Sequence, residues 1–511
     1  MIPRNLLFTI FAFLLMGIYT DIQTQFQPLL TDSIQYMHNN TLLNHYGIQP
    51  DKFSLSIIQS VTVFIGFSAF VPAIFLVLPL SDKYGRKLLT VYMRSFAGLS
   101  GSLFCLGAYY LSASELFMCS EFMLTIQIPI RSFVTVVFIS ECSPDEYRGA
   151  TSTATVVLDI FGQLLMYFIS SPKIFGSHEM WFVFPTITGV LTIAAFLMTV
   201  RIPESPKWLV KMERYSEARE AIKFYHGDNC DTRAVMDSMI KEAHIITKEN
   251  RISVRELFKN PTMREAFFIV FSLNTLHYLS PISVEKFYTM QIFTSMGFSL
   301  DFALTFNFII TLIFIPSRFA GTYIVDKFGR RVVLYLSGTI LIMKTWSMLI
   351  AVYLNYELTN SGSFVKILFL FGYSLSELFQ GIGGISLSSV LLNELFPQSA
   401  KITVVQITTL PLLFSSTLPV LFYPMLNASW PPAYYIPFVF LQPAIILYLL
   451  RTMPETKSKS VYEIIDSLDR QNNEKSFLLK KRSFTTSYNT RKYATIKKPR
   501  AVTLDHLMWN Q

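Results

Sequence analysis

Twelve runs of about 20 mostly apolar residues punctuate this chain, and a run of that length crosses the hydrocarbon of a bilayer as a helix. They lie near residues 6–26, 55–80, 88–111, 115–140, 151–170 and 181–201, then 265–289, 300–325, 332–354, 364–390, 402–425 and 432–452. Helices satisfy every backbone polar group within one segment, so runs of this kind predict an all-α, membrane-spanning chain. Composition agrees: 51% of the 511 residues are hydrophobic and 15% are charged, against roughly 25% charged in a soluble domain. No small-residue cleavage site follows Tyr19, and polar residues continue through Gln27. The first run is therefore read as a retained helix.

Lysine and arginine set the expected orientation, because they stay on the cytoplasmic side during insertion. With the amino terminus, the even-numbered connections and the tail inside, 35 of the 43 Lys and Arg residues are cytosolic. Both glycosylation sequons, at Asn39 and Asn427, then fall on expected outer loops, where acceptors belong. The net charge of +9 owes +7 to the segment after Leu450, so it describes a basic cytosolic tail and implies no nucleic-acid partner. Cys105, Cys119, Cys142 and Cys230 match neither a disulfide framework nor a zinc site. With no metal cluster, phosphate loop or nucleophile constellation, the expectation is a non-enzyme without cofactors, whose partners are a small solute and the lipid bilayer.

The connections repeat. Ser81-Asp82-Lys83-Tyr84-Gly85-Arg86-Lys87 returns as Val325-Asp326-Lys327-Phe328-Gly329-Arg330-Arg331. Glu141, Pro144 and Arg148 return as Glu394, Pro397 and Lys401, and Pro203-Glu204-Ser205 returns as Pro454-Glu455-Thr456. The offsets are 244, 253 and 251 residues, so the chain reads as an internal duplication. The expected units are a first six-helix bundle (1–200), a linker with short helices (201–263), a second bundle (264–452) and a tail (453–511). Parallel repeats place a solute site at mid-membrane between the halves.

Asp82 and Glu141 end helices where Arg86 and Arg148 can satisfy both carboxylates and exposed carbonyls. With Glu204 they form one expected cytosolic gate cluster, and Asp326, Arg330, Glu394, Lys401 and Glu455 form its counterpart. The clusters are expected to interlock when the cytosolic side closes. Partly exposed ion pairs contribute ~0.2–1 kcal/mol each, enough together to bias an equilibrium without locking it.

These loops, with Glu141-x-x-Pro144-x-x-x-Arg148-Gly149, Pro203-Glu204-Ser205-Pro206-Lys207-Trp208-Leu209 and Pro454-Glu455-Thr456-Lys457, resemble the sugar porter family of the major facilitator superfamily. Within it, the chain is similar to the facilitative glucose transporters over residues 6 to about 465. The resemblance implies twelve transmembrane helices in two pseudo-symmetric bundles and carriage of a hexose or related solute by alternating access. It also marks departures. Val156, His277, Tyr278, Ser283, Phe314 and Ser389 stand where that family carries sugar-contacting residues of other types. Glu121 stands where proton-coupled relatives carry arginine, so the resemblance implies facilitative uniport. The lost amides keep open a carrier of an organic ion or other non-sugar nutrient, with or without proton coupling, and the basic tail keeps open a nutrient sensor.

Ionisable groups inside spans are costly and mark cavities or pairs. Here they are Asp21, Glu121, Arg131, Asp159, Glu285, Lys286, Arg318, Lys344 and Glu377. Asp159 and Gln163 share one helix face and, with His277, Tyr278, Ser283 and Asn274, are the candidate solute contacts. Arg131 and Glu377 are expected to form a buried pair, with contacts to an anionic solute as the alternative. Gly381, Gly383 and Gly384 mark a segment of the tenth run that is either bent or closely packed.

Overall fold

The computed structural model describes residues 3–144, 160–227, 230–248, 252–358, 362–384, 386–396 and 398–456. Helices occupy all twelve apolar runs, the described part of the fifth starting at Ile160, and no strand occurs among the described residues. Among the described residues, six helices are long and apolar enough to cross a membrane: Phe53–Val77, Ser114–Cys142, Pro261–Phe287, Leu300–Arg318, Arg330–Glu357 and Pro431–Thr452. Shorter apolar helices, Arg4–Thr20, Ile160–Ile169 and Val183–Thr199, accompany them. Large apolar side chains such as Phe96, Leu197 and Phe440 are largely exposed, which is stable only when lipid covers them.

Two helices are broken in ways the sequence explains. Proline disfavours the helical conformation in the residue before it, and Ser280, ahead of Pro281, is extended at φ −133° and ψ 159°. The seventh run is therefore three pieces, Pro261–Tyr278, Pro281–Phe287 and Thr289–Ser295. The tenth run stops at Gly381, passes Gly383 at φ +102° and restarts as Ser386–Leu395. A Cβ on Gly381 would lie 1.9 Å from the Ser317 hydroxyl, so this segment is both bent and closely packed.

Between Val200 and Pro261 the chain forms short helices, as its composition predicts. Tyr215–His226 buries Ala218, Ala221, Ile222 and Tyr225, the spacing of one helical face. Ser253 and Glu256 form a reciprocal cap at the start of Val254–Lys259. The connection around the first sequon differs from the expected loop: Thr31–Tyr46 is a helix closed by Gly47 at φ +64°. Asn39 sits in its middle with its side-chain oxygen buried, and Asn427 lies near the end of Gln398–Ser429.

The cores place the halves. At the end opposite the charged loops, one cluster takes Leu29, Phe117 and Trp181 from the first half and Tyr288, Phe293, Phe369 and Tyr423 from the second. At the charged-loop end the described residues form two cores, one per half. One cluster there runs from Leu6 to Met239, including Phe138 and Trp208, and another from Leu257 to Met453, including Val325 and Leu395. Across the shared end, Asp301 accepts a hydrogen bond from Ser171 at 3.2 Å and pairs with Lys173 at 3.0 Å.

Candidate functional site: a charged cavity between the halves

A cavity of about 150 Å³ lies between the halves. Its lining repeats a helical spacing of i, i+3, i+4, i+7. Ile282, Glu285, Lys286 and Thr289 form one such row from the broken seventh run, and Tyr373, Ser376, Glu377 and Gln380 form another from the tenth. Arg318 joins them, while Gln25, Leu29, Gln163 and Tyr167 supply the first-half wall.

Among the described lining residues, the charged ones come from the second half. Glu285 is buried against Lys344 at 2.8 Å, where the two side chains are 3% and 1% exposed. Ser376 donates to the same carboxylate oxygen at 3.1 Å. Arg318 is paired with Glu377 and reaches the Gln163 carbonyl oxygen at 3.4 Å, while Gln163 donates to the Tyr167 hydroxyl at 3.0 Å. The expected Arg131 and Glu377 pair is thus corrected: Arg318, one turn beyond Phe314 on the neighbouring helix, takes the carboxylate.

Among the candidate contacts, Gln163 lines the cavity. Asp159 lies outside the described residues. His277, Tyr278, Ser283 and Asn274 are not in the lining. The break at Ser280 separates the 277–278 turn from the row beginning at Ile282, and His277 instead packs its ring on Tyr278 and Phe379. Ser283 donates back to the Ser280 carbonyl at 2.8 Å. Gln25, Tyr167, Tyr373 and Gln380 were not singled out by sequence. Their signal was present as polar side chains recurring at helical spacing within apolar runs.

At the charged-loop end most of the described contacts of one half recur in the other. Arg86 reaches Glu141 at 3.1 and 3.2 Å, Asp82 at 3.4 Å and the Ser81 carbonyl at 3.1 Å. Arg330 reaches Glu394 at 2.6 and 3.3 Å and the Val325 carbonyl at 3.2 Å. Ser205 and Thr456 donate to these two glutamates, each at 2.5 Å. Glu204 accepts from the backbone N–H groups of Arg86 and Lys87 at 3.1 and 3.0 Å, and Glu455 from those of Arg330 and Arg331 at 3.1 Å. Burial raises the Glu204 carboxyl above its ordinary range, a shift opposed by those N–H donors and the Arg86 charge.

Gly85 and Gly329 make this approach possible. Both have positive φ, +102° and +88°, and a Cβ would stand 2.2 Å from Glu204 and 3.0 Å from Glu455. Each of these contacts joins loops within one half and forms a clasp there; the interlock between halves is the expectation for the closed cytosolic side. Lys401 is half-buried near the start of Gln398–Ser429, Asp326 lies in the last turn of Leu300–Phe328, and Arg148 is outside the described residues.

The chain matches the family model described as sugar (and other) transporter over residues 8–467. It is 28% identical over 342 residues to sugar transporter ERD6-like 2 of Arabidopsis thaliana, covering 66% of this chain and 71% of that one. Facilitated glucose transporter member 5 of solute carrier family 2, from Homo sapiens, is 23% identical over 449 residues, covering 86% and 87%. Among solved structures, the inward-open conformation of the xylose transporter XylE from E. coli superposes with a TM-score of 0.67 at 17% identity, covering 89% of this chain and 99% of that one. XylE described as a proton:xylose symporter bound to 6-bromo-6-deoxy-D-glucose gives 0.65 at 17% identity, covering 90% and 98%. These structures share the major facilitator fold of helices described above. The chain belongs to the sugar (and other) transporter family.

Proposed function

We propose that this protein carries a small polar solute of the sugar class across a membrane by alternating access, as a facilitative uniporter, with the central cavity as its solute site. The observation that carries this reading is a polar cavity walled by both halves, placed between a shared core at one end and two separate cores at the other. Closing the open end and opening the shut one would expose the same cavity to the opposite face. Such switching requires two states within a few kcal/mol of each other.

The location we propose is the plasma membrane, with both termini and the charged loops in the cytosol, supported by the distribution of Lys and Arg along the chain. Gln25, Gln163 and Gln380 are the groups proposed to meet hydroxyls. The paired loops around Arg86 and Arg330 are proposed to hold helix ends rigid while the halves rock.

Proteoliposomes containing the purified protein, given a panel of labelled sugars with and without an imposed pH gradient, test the reading. Saturable uptake that equilibrates without concentrating, and ignores the gradient, is expected. Accumulation driven by the gradient would overturn uniport. Absence of uptake for every ring-sized polar solute would overturn the carrier itself.

A further inference from the structure

Charge balance in the cavity narrows the solute further, on the premise that the cavity is the carrier's solute site. Glu285 is matched by Lys344 and by the Ser376 hydroxyl. Arg318 and Glu377 are matched to each other, and the guanidinium also holds Gln163. Lys286 is the member left over. Its side chain is exposed to the cavity it lines, and it has no hydrogen-bond or ion-pair partner among the described residues. Glu377 attracts it and Arg318 repels it, so the carboxylate that could neutralise it is already engaged.

Among the described residues, three cations and two carboxylates therefore meet at this site, an excess of one positive charge. An isolated ammonium walled by protein within a membrane is unfavourable until an anion reaches it. The same low dielectric that makes the lone charge costly strengthens its attraction to an incoming anion. A neutral sugar can offer Lys286 only hydroxyl oxygens, and a cationic solute is repelled.

We infer that the central cavity recognises a monoanionic polyol, a sugar-sized ring or chain bearing one carboxylate, with Lys286 binding the carboxylate and Gln25, Gln163 and Gln380 serving its hydroxyls. Lysine suits a rounded, mobile contact of this kind, since its ammonium is a point charge on a flexible stem and has no fixed fork to align.

Purified full-length protein is tested in detergent by ligand-induced thermal shift with D-glucuronate, D-glucose and D-glucosamine, and in proteoliposomes by uptake of labelled glucuronate and glucose. Glucuronate should be bound about tenfold or more tightly than glucose, and glucosamine most weakly. Lys286→Gln should reduce glucuronate to the level of glucose while its ligand-free melting temperature stays at or above that of the parent, since it removes an uncompensated charge. Lys286→Arg should keep the preference, which a merely structural lysine would not predict.

Equal affinity for glucuronate and glucose, or a preference that survives Lys286→Gln, overturns the inference. Failure of the parent to bind glucuronate at all overturns it too, and intact glucose uptake would then leave the carrier reading standing. Conversely, glucuronate that binds through Lys286 but never crosses the bilayer supports the anion site and removes the carrier. A sugar phosphate that binds more tightly than glucuronate replaces the carboxylate with a dianion and overturns the class named here.

Discussion

The two halves agree at their charged loops and part company at mid-membrane. Arg86, Glu141, Glu204 and Ser205 are reproduced in Arg330, Glu394, Glu455 and Thr456, down to the backbone N–H groups that each third-loop glutamate accepts. Inside, the described first half is held by hydrogen bonds rather than by ion pairs: buried Arg94 donates to the Met16 carbonyl and to the Thr20 and Thr135 hydroxyls, Gln127 donates to Gln23 at 3.2 Å, Gln23 to Ser102 at 3.2 Å, and Ser102 meets Thr188 at 3.1 Å. The second half is held by ion pairs, Lys344 with Glu285 and Arg318 with Glu377. A duplicated scaffold keeps contacts that depend on backbone geometry, because helix ends leave the same unpaired groups in both copies. Where side chains meet a solute, nothing enforces symmetry.

The largest expected effect breaks that comparison in the second half. Lys344→Ala leaves Glu285 buried and charged without its partner, and should cost about 3–5 kcal/mol. Gln127→Ala, its neutral counterpart in the first half, should cost about 1–3 kcal/mol through the polar group it orphans. Chemical unfolding in detergent measures both. A Lys344→Met, Glu285→Leu double substitution should recover most of the loss, since well-packed apolar groups often replace buried pairs without cost. Equal costs for Lys344→Ala and Gln127→Ala would show that the two interiors are energetically alike despite their chemistry.

Next in size is the symmetric end. Arg86→Ala and Arg330→Ala each remove charge-assisted hydrogen bonds to a partly buried glutamate and should cost about 1.5–3 kcal/mol apiece. Because the clasps lie in different halves, the double variant should equal the sum to within about 0.3–0.5 kcal/mol. Coupling well above that would mean the clasps touch across the halves in the folded ensemble, restoring the interlock that the sequence suggests.

How legible each region was follows from how local its cause is. The spans could be read because lipid demands long apolar runs, and the clasps because every partner lies in a short repeated motif. The linker helices were equally plain, with Ala218, Ala221, Ile222 and Tyr225 on one stripe. The cavity was harder. Glu285, Lys286, Arg318 and Glu377 stood out as charges in apolar runs, but their partners come from different helices, so sequence could not pair them. Arg131 for Arg318 was the resulting error. The positions around His277 and Tyr278 took their weight from resemblance, whereas Pro281 starts a new helix whose own face sets the lining. Reading Ile282, Glu285, Lys286 and Thr289 as one row would have found it.

The smallest effect sharpens the comparison at its most symmetric point. Gly85 and Gly329 hold the same left-handed turn, so alanine at either incurs the same backbone strain, roughly 1–3 kcal/mol. What differs is the room. A Cβ at position 85 would stand 2.2 Å from a Glu204 carboxylate oxygen, against 3.0 Å from Glu455 at position 329. Glu204 must therefore leave its place, losing N–H donors from Arg86 and Lys87, whereas Glu455 need only yield by a few tenths of an ångström. Shifting a side chain off its preferred torsion costs about 0.5–1.5 kcal/mol, and Gly85→Ala should exceed Gly329→Ala by about that amount in parallel unfolding measurements. Equal losses would mean that the two turns are interchangeable. The reverse order would place the tighter clasp in the second half and overturn the spacing on which the difference rests.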